Sequence, residues 1–500
     1  MNVTPSRDRV LAHQGPEKFV ALSVALLADT ETPISAFRRL AAGRRDSFLL
    51  ESVEGGELMG RYSFLGCGVR ERFSFRDGVG TVATGGTETS FALTDPLDVI
   101  KKRLAGWTVW SPGNLPRFHG GAVGYLGFDC VRYFENVPLP KGDGVDVPEG
   151  VLLYTDELAI YDHLRHQLVL VVHAPLGGNR AYEYERGVER LAAMVGRLAT
   201  TSLPPEAPWD MGVVEAAATD EGPVAVSNRT QEDMEAAVRR AQEAIVDGEV
   251  FQVVASQRFT VEAEVDPLTL YRALRALNPS PYMFFFDFGD FAVVGASPEV
   301  LVRLEDGELL LRPIAGTRPR GATQAEDLAY EEDLLQDEKE LAEHRMLVDL
   351  GRNDLGRVAS IGSVKVENPL HIERYSHVMH IVSDARATLA EGRDAFDVFR
   401  ACFPAGTVSG APKVRACELL AELEPDRRGL YAGAVGYFDV SGNMDTCIAI
   451  RTLVVERDKV HIQAGAGIVY DSVPVNEHEE CRNKARAGLR AIQLAAARRR

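Results

Sequence analysis

The chain has 500 residues, 45% of them hydrophobic and 26% charged, the balance of a soluble globular protein longer than one ordinary domain. A formal net charge of -18, with no long basic stripe, excludes a nucleic-acid or anionic-membrane surface. The longest apolar run, residues 19–28, is about half a bilayer span. No apolar core follows Arg7, Asp8 and Arg9 as a signal peptide would require, and the expectation is a cytoplasmic protein. The cysteines (Cys67, Cys130, Cys402, Cys417, Cys447 and Cys481) contain no Cys-x-x-Cys pair, which argues for reduced thiols and against structural zinc.

In chain order, a strand is expected from Phe19 to Leu27, then a helix opening at Thr32-Pro33 with Phe37, Leu40 and Ala41 on its apolar side. SFLLESVEGGELMGRYSFLG reads as two strands around a Gly55-Gly56 turn, with Glu51 and Ser52 ending the first. The pentapeptide Gly-Ala-Val-Gly-Tyr occurs at 121–125 and again at 433–437, and in both places suits strands whose backbones approach closely. A charged helix covers 175–199. The Pro-, Ala- and acid-rich stretch 201–228 then reads as a linker between an N-terminal domain, 1–200, and a C-terminal domain, 229–500. Beyond it come helices at Thr230–Asp247 and Pro267–Leu277, a strand at Val250–Val261 and two strand meanders, one through 291–314 and one through 434–463. Strands and helices interleave without regular alternation, so the fold class is α+β, with large mixed or antiparallel sheets.

Chemistry concentrates in the stretch DEKELAEHRMLVDLGRNDLGR, 337–357. In a helix Glu340, Glu343, Leu347 and Leu350 share one stripe, while Leu334, Leu341 and Val348 form a second seam. The helix should therefore be apolar nearly all round beyond Met346. Carboxylates on such a face are either the wet end of a core helix or a cation site, and the latter needs a second acidic element. NEHEECRNKARAGLR, 476–490, offers one through Glu477, Glu480 and Lys484, although Glu480 and Lys484 are also an ordinary surface pair. Just before it, GAGIV at 465–469 ends a strand and exposes backbone N–H groups to a carboxylate. Arg451, inside the apolar run 447–455, needs an anion, from protein or ligand. His380 alternates with Val378 and Val382 on a strand and fits either a core or a catalytic histidine. Together these groups describe a site for a small polyanion bridged by a divalent cation. The ligands are oxygens, which favours magnesium over zinc.

The segments PIAGTRPRG (313–321), EHRMLVDLGRNDLGR (343–357), ERYSHVMH (373–380), FPAGTVSGAPK (403–413), YAGAVGYF (431–438) and GAGIVYDS with EECRNKA resemble the chorismate-utilising enzyme family, especially its anthranilate-forming members. The resemblance is strong over about 225–490 and looser through LLES and GRYSFLG. It implies a sandwich of large sheets flanked by helices. It further implies Glu343 and Glu480 as magnesium ligands with Glu340 close by, and Gly316, Thr317, Tyr431, Arg451, the backbone of Gly465, Ala466 and Gly467, and Lys484 as the holders of chorismate. Glu299 and His380 would be the acid/base groups, with Thr407 near the ring. The implied reaction adds ammonia at C2 of chorismate as the C4 hydroxyl leaves, then eliminates pyruvate to give anthranilate.

Gln252 stands where water-adding relatives carry a lysine base, and Ala315 where aminodeoxychorismate synthases carry a lysine nucleophile. Both departures favour ammonia. No Gly-x-Cys-x-Gly segment is present, so the resemblance implies a separate glutamine amidotransferase subunit and a hetero-oligomer. Ser52, with Pro281, Tyr282 and Met283, would form a feedback pocket for L-tryptophan in the N-terminal, regulatory part. An aminodeoxychorismate or aminodeoxyisochorismate synthase and a catalytically silent tryptophan sensor remain as alternatives.

Overall fold

A computed structural model describes residues 1–52, 60–113, 115–204, 208–375 and 378–498. Phe19–Leu27 forms the expected strand, antiparallel to Gln167–Pro175 along its whole length and parallel to Val109–Trp110. The other strand ladders among the described residues are antiparallel. The helix Pro33–Ala41 starts where Thr32 and Ser35 cap each other reciprocally, and proline at the first helical position gives up no needed N–H. Ser47–Glu51 and Tyr62–Arg76 pair as expected, and the Gly55-Gly56 turn between them lies outside the described residues.

The repeated pentapeptide has a structural meaning that its five residues did not reveal. Gly121–Leu126 and Ala434–Asp439 are neighbouring antiparallel strands, with Gly124 directly opposite Gly436. A Cβ at Gly124 would stand 1.9 Å from the Val151 carbonyl oxygen, and one at Gly436 would stand 2.1 Å from that of Asp445. Only glycine lets these backbones approach so closely. A second ladder, Ser47–Glu51 with Tyr282–Asp287, also joins the first two hundred residues to the last three hundred. Within 201–228 the chain forms the helix Met211–Thr219, whose Val214 is buried in an apolar core shared with the helices Pro267–Leu277 and Pro474–Ala497.

Aromatic side chains from both parts fill the space between sheet faces. Phe64, Phe118 and Tyr437 stack and abut with ring centroids 4.2–5.8 Å apart. Two further apolar layers lie between the sheet and its helices, so the architecture is a mixed α+β sandwich with helical flanks.

Two sequence expectations are corrected. The acidic stretch 337–357 is one helix, Glu338–Gly356, as its spacing predicts, but its seam does not reach back to Leu334, because Asp337 takes an extended backbone that ends the preceding helix Gln324–Gln336 and caps the next through Lys339 N and Glu340 N. Leu334 therefore belongs to the earlier helix. The second helix is also not apolar all round, since Asp349, Arg352 and Asn353 form an exposed face while Leu347, Gly351, Asp354 and Leu355 are buried. In the second correction, the run 447–455 is two strands, Met444–Ile448 and Thr452–Val455, broken at Arg451 by a left-handed backbone with φ 52°. An apolar run carries no mark of such a break.

Candidate active site

The acidic helix Glu338–Gly356 presents the stripe read from its spacing. Glu343 Oε1 accepts a hydrogen bond of 3.2 Å from Nε2 of Gln252, the first residue of the strand Gln252–Glu262. Burial raises the Glu343 carboxyl above its usual value and the charge of Glu480 adds to this, against the Gln252 amide and the Lys484 ammonium. Glu340 is drawn elsewhere: Arg318, which binds Asp333 at 2.6 Å and Asp337 at 2.8 Å, also reaches Glu340 at 3.5 Å.

Glu480 lies on the helix Pro474–Ala497, where Lys484 Nζ binds it at 2.6 Å and donates to Gly465 O at 2.9 Å. One ammonium thus ties the acidic helix face to the glycine strand. Gly465 to Gly467 form the end of the strand Lys459–Ile468, as expected, and pair along one edge with Val254–Ser256. The ladder to Thr452–Val455 on the other edge stops at Leu453–Ile462. A Cβ at Gly465 would stand 2.7 Å from the Tyr431 hydroxyl, and one at Gly467 would stand 2.6 Å from Gln252 Nε2. Glycine therefore keeps two polar side chains against the backbone.

Arg451 is the common neighbour of the cluster. Burial lowers its pKa, while Tyr431, Glu480 and Glu299 act on it in the opposite sense, and its own charge acts on His380. Among the described residues no carboxylate lies in ion-pair distance of its guanidinium. A half-buried cation left in this state is prepared for an anion from outside the chain.

Glu299 follows the strand Ala292–Ser297, and its backbone is held by Ser297 Oγ at 3.3 Å and Ile448 N at 3.0 Å. The residue is 9% exposed, and burial pushes its carboxyl up to about 7. The Thr407 hydroxyl lies near enough to lower that value, yet it is buried without a hydrogen bond of good geometry, so its influence is that of an adjacent dipole. Glu299 and Thr407 share a cavity of about 30 Å³ with Leu347, Leu350, Gly351 and Asp354 of the acidic helix.

His380 stands opposite Thr317 in the ladder of Ile314–Pro319 with Val378–Thr388. Its Nδ1 is 3.0 Å from Gly316 O and 3.1 Å from Thr317 Oγ1. A carbonyl only accepts, so Nδ1 carries the proton and Nε2 is left as the basic atom. Burial lowers the His380 pKa, which keeps the ring neutral near pH 7.

Burial also prepares this site for a cation. Glu343 and Glu480 repel each other across it, and the buried Gln252 Oε1 beside Glu343 has no hydrogen-bond partner. Among the described residues no set of three or more His, Cys, Asp and Glu side chains forms a complete metal cage. Two carboxylates, waters and the oxygens of a ligand suffice for magnesium, and the donor set fits that ion.

The remaining sequence candidates form a separate place. Ser52, Pro281, Tyr282 and Met283 line one cavity of about 50 Å³ together with Phe64 and Val435. Its polar wall is a buried group in which Asp445 accepts from Tyr282 at 2.9 Å and pairs with Arg303 at 3.1 Å and Arg117 at 3.2 Å. Sequence reading missed one element of the active cluster: Lys413 Nζ, buried, donates to Asp354 at 3.0 Å and to Cys402 O at 3.0 Å, joining the acidic helix to the 403–413 segment. In the sequence both residues look like ordinary surface charges.

The pattern of the family described as chorismate binding enzyme matches residues 47–490. The chain belongs to this family. It is 49% identical to anthranilate synthase component 1 of Pseudomonas aeruginosa over 95% of this chain and 96% of that one, and 47% identical to the Aquifex aeolicus protein of the same name over 99% of both. Among solved structures, anthranilate synthase component I of Streptococcus pneumoniae superposes with a TM-score of 0.76 at 34% identity, over 93% of this chain and 98% of that one. The menaquinone-specific isochorismate synthase of Escherichia coli, at 20% identity and a TM-score of 0.70 over 97% of each chain, shares the fold. A chorismate-binding enzyme must hold two carboxylates and a hydroxyl, and the cluster offers three buried or half-buried donors: Lys484 and Tyr431 lie against Gly465, and Tyr431 acts electrostatically on Arg451.

Proposed function

We propose that this chain is the chorismate-aminating component of an anthranilate synthase, converting chorismate and ammonia to anthranilate and pyruvate in tryptophan biosynthesis. The observation that carries the reading is Arg451, a half-buried guanidinium with no carboxylate in ion-pair distance among the described residues, with Tyr431, Glu480, Glu299 and His380 as its electrostatic neighbours. The names of the relatives at 44–49% identity support the same reaction.

Arg451 and Lys484 anchor the substrate carboxylates, with Tyr431 and the glycine strand closing around them. Magnesium, when held by Glu343 and Glu480 with waters and the ring carboxylate, supplies positive charge to that carboxylate. Glu299, about half protonated near neutral pH, gives its proton to the departing C4 hydroxyl. His380 Nε2, free and neutral, takes the C2 proton as pyruvate is lost. Gln252 carries no base to activate water, which leaves ammonia as the nucleophile. Ammonia comes from a glutamine amidotransferase subunit: Cys67, whose thiol is pushed up to about 11 by burial, is a poor nucleophile for making it.

The test is product identity. Purified chain with chorismate, magnesium and ammonium gives fluorescent anthranilate and pyruvate; a nonaromatic amino product points to a synthase that stops before pyruvate loss, and tryptophan binding without turnover to a silent sensor. Glutamine in place of ammonium gives no product without the partner subunit. In Glu343→Gln the magnesium concentration for half-maximal rate rises at least about tenfold, the typical cost of losing one carboxylate ligand. An unchanged magnesium dependence would remove Glu343 from the ligand set.

The cavity at Ser52, Pro281, Tyr282 and Met283 is read as the site of feedback inhibition by L-tryptophan. Its apolar body with charged groups of both signs at one end suits a zwitterionic aromatic amino acid. Met283→Trp fills it, so ammonium-dependent turnover becomes insensitive to added tryptophan while KM for chorismate stays within about twofold; retained inhibition moves the effector elsewhere. A cytoplasmic location accords with these reduced, buried cysteines.

A further inference from the structure

Behind the substrate-facing groups lies a fully buried ion pair that forms no ion pair or hydrogen bond with any of their side chains among the described residues. Arg428 donates from Nε to Glu424 Oε2 and from Nη2 to Glu424 Oε1, both at 2.7 Å. Its Nη1 donates to Val408 O at 2.7 Å, and Nη2 also donates to Val254 O. The guanidinium plane lies over Phe128, 4.5 Å from the ring centroid, and 5.4 Å from that of Tyr431. Glu424 is equally committed: Oε1 also accepts from Ser256 N at 2.9 Å and Ser256 Oγ at 2.7 Å, and Ser256 Oγ accepts from Gln463 Nε2 at 2.8 Å.

The segments so joined are those that form the site. Val408 follows Thr407, Val254 is two residues from Gln252, Tyr431 is itself in the cluster, and Ser256 pairs in register with Gly465. Replacing such a pair by apolar groups is often neutral for stability, so its cost in desolvation points to a geometric use. A planar guanidinium fixes several acceptors at set angles, which an ammonium cannot do.

Resting on the chorismate-aminating reading above, we propose that Arg428, oriented by Glu424 and Ser256, is a positioning residue for the reaction. It sets Thr407, Tyr431 and the Gln252 end of its strand in one frame around the reacting ring. Arg451 and Lys484, which hold the carboxylates, are not bonded to it, so its loss acts on turnover more than on substrate capture.

The experiment uses the full chain with Arg428→Lys, Glu424→Gln and the milder Ser256→Ala, the last in case the first two do not fold. Two readouts are taken: kcat and KM for chorismate with saturating ammonium, and amide hydrogen exchange of residues 252–256, 405–411 and 430–432. The expected result is a fall in kcat of at least about thirtyfold for Arg428→Lys and about fivefold for Ser256→Ala, with KM within about threefold of the parent chain. The three segments exchange faster together, while residues 19–27 do not change. A kcat within threefold of the parent, or faster exchange confined to the 424–428 stretch, would overturn the proposal. Should the parent chain itself fail to turn over chorismate, the proposed reaction falls, and the exchange pattern alone decides for or against the common frame.

Discussion

Glu299→Gln lowers kcat about 10²–10⁴-fold, the loss of a general acid, and at the same time makes the protein more stable than the parent above neutral pH. Both effects come from one burial. The folded-state carboxyl sits at about 7 instead of its usual 4.5. Its neutral form is therefore favoured by folding, a contribution fully present below pH 4.5 and lost as pH rises through 7. At pH 8 the parent holds an ionised carboxylate in a small cavity, a difference of roughly 3 kcal/mol that an uncharged amide of the same shape does not incur. The difference in melting temperature, variant minus parent, thus grows in the variant's favour from pH 4.5 to pH 8. Other carboxyls raised by burial, such as Asp129 at about 7, titrate in both proteins and cancel in that difference. A difference that is the same at pH 5 and pH 8 would mean that Glu299 is not held neutral by its surroundings. The acid requirement also predicts that kcat/KM falls on the alkaline side, with an apparent pKa close to 7, the value of the free protein.

Arg451→Met raises KM for chorismate about 30- to 150-fold, and the folded protein loses no stability. A carboxylate bonded to a half-buried guanidinium contributes a charge-assisted interaction of about 2–3 kcal/mol, which is that factor. In the absence of substrate the same guanidinium is a desolvated cation without a carboxylate partner among the described residues, and burial lowers its pKa. A methionine fills similar volume without that penalty. The left-handed backbone at this position, φ 52°, persists in both proteins and costs about 1 kcal/mol in each. Thermal unfolding and calorimetric binding of chorismate test the two halves separately. A destabilised variant with unchanged affinity would make Arg451 a structural residue after all.

Both predictions concern groups that the sequence exposed unevenly. The face of Glu343, Leu347 and Leu350 was readable because helical spacing depends on neighbours three and four residues away. The break at Asp337 was not, since Leu334 continues the apolar seam and only the extended backbone of Asp337 interrupts it. Arg451 was recognisable as a charge needing an anion, but the break that turns a long strand into two lies in one backbone angle, and arginine gives no sign of it. The resemblance marked Gln252 only as standing where relatives carry a lysine, and nothing in the sequence showed that it meets Glu343 across 91 residues. Arg428 escaped notice altogether: in EPDRRGLY it looks like one more surface charge, and its partners at 254, 408 and 424 are brought to it only by the sheet. Local periodicity thus reached the elements, and tertiary contact decided which polar residues share a cavity.

The paired glycine strands bear on how the molecule is made. Gly124 meets Gly436 across more than three hundred residues of chain, so Gly121–Leu126 emerges from the ribosome long before Ala434–Asp439 exists. During that interval its outer edge presents unpaired backbone groups on a fully buried, apolar strand, the kind of edge that recruits other chains. The same holds for Ser47–Glu51 until Tyr282–Asp287 arrives. Closure of the sheet is therefore a late event of high contact order, and yield in the cell should depend on chaperone capacity and temperature during synthesis more than on the stability of the finished fold.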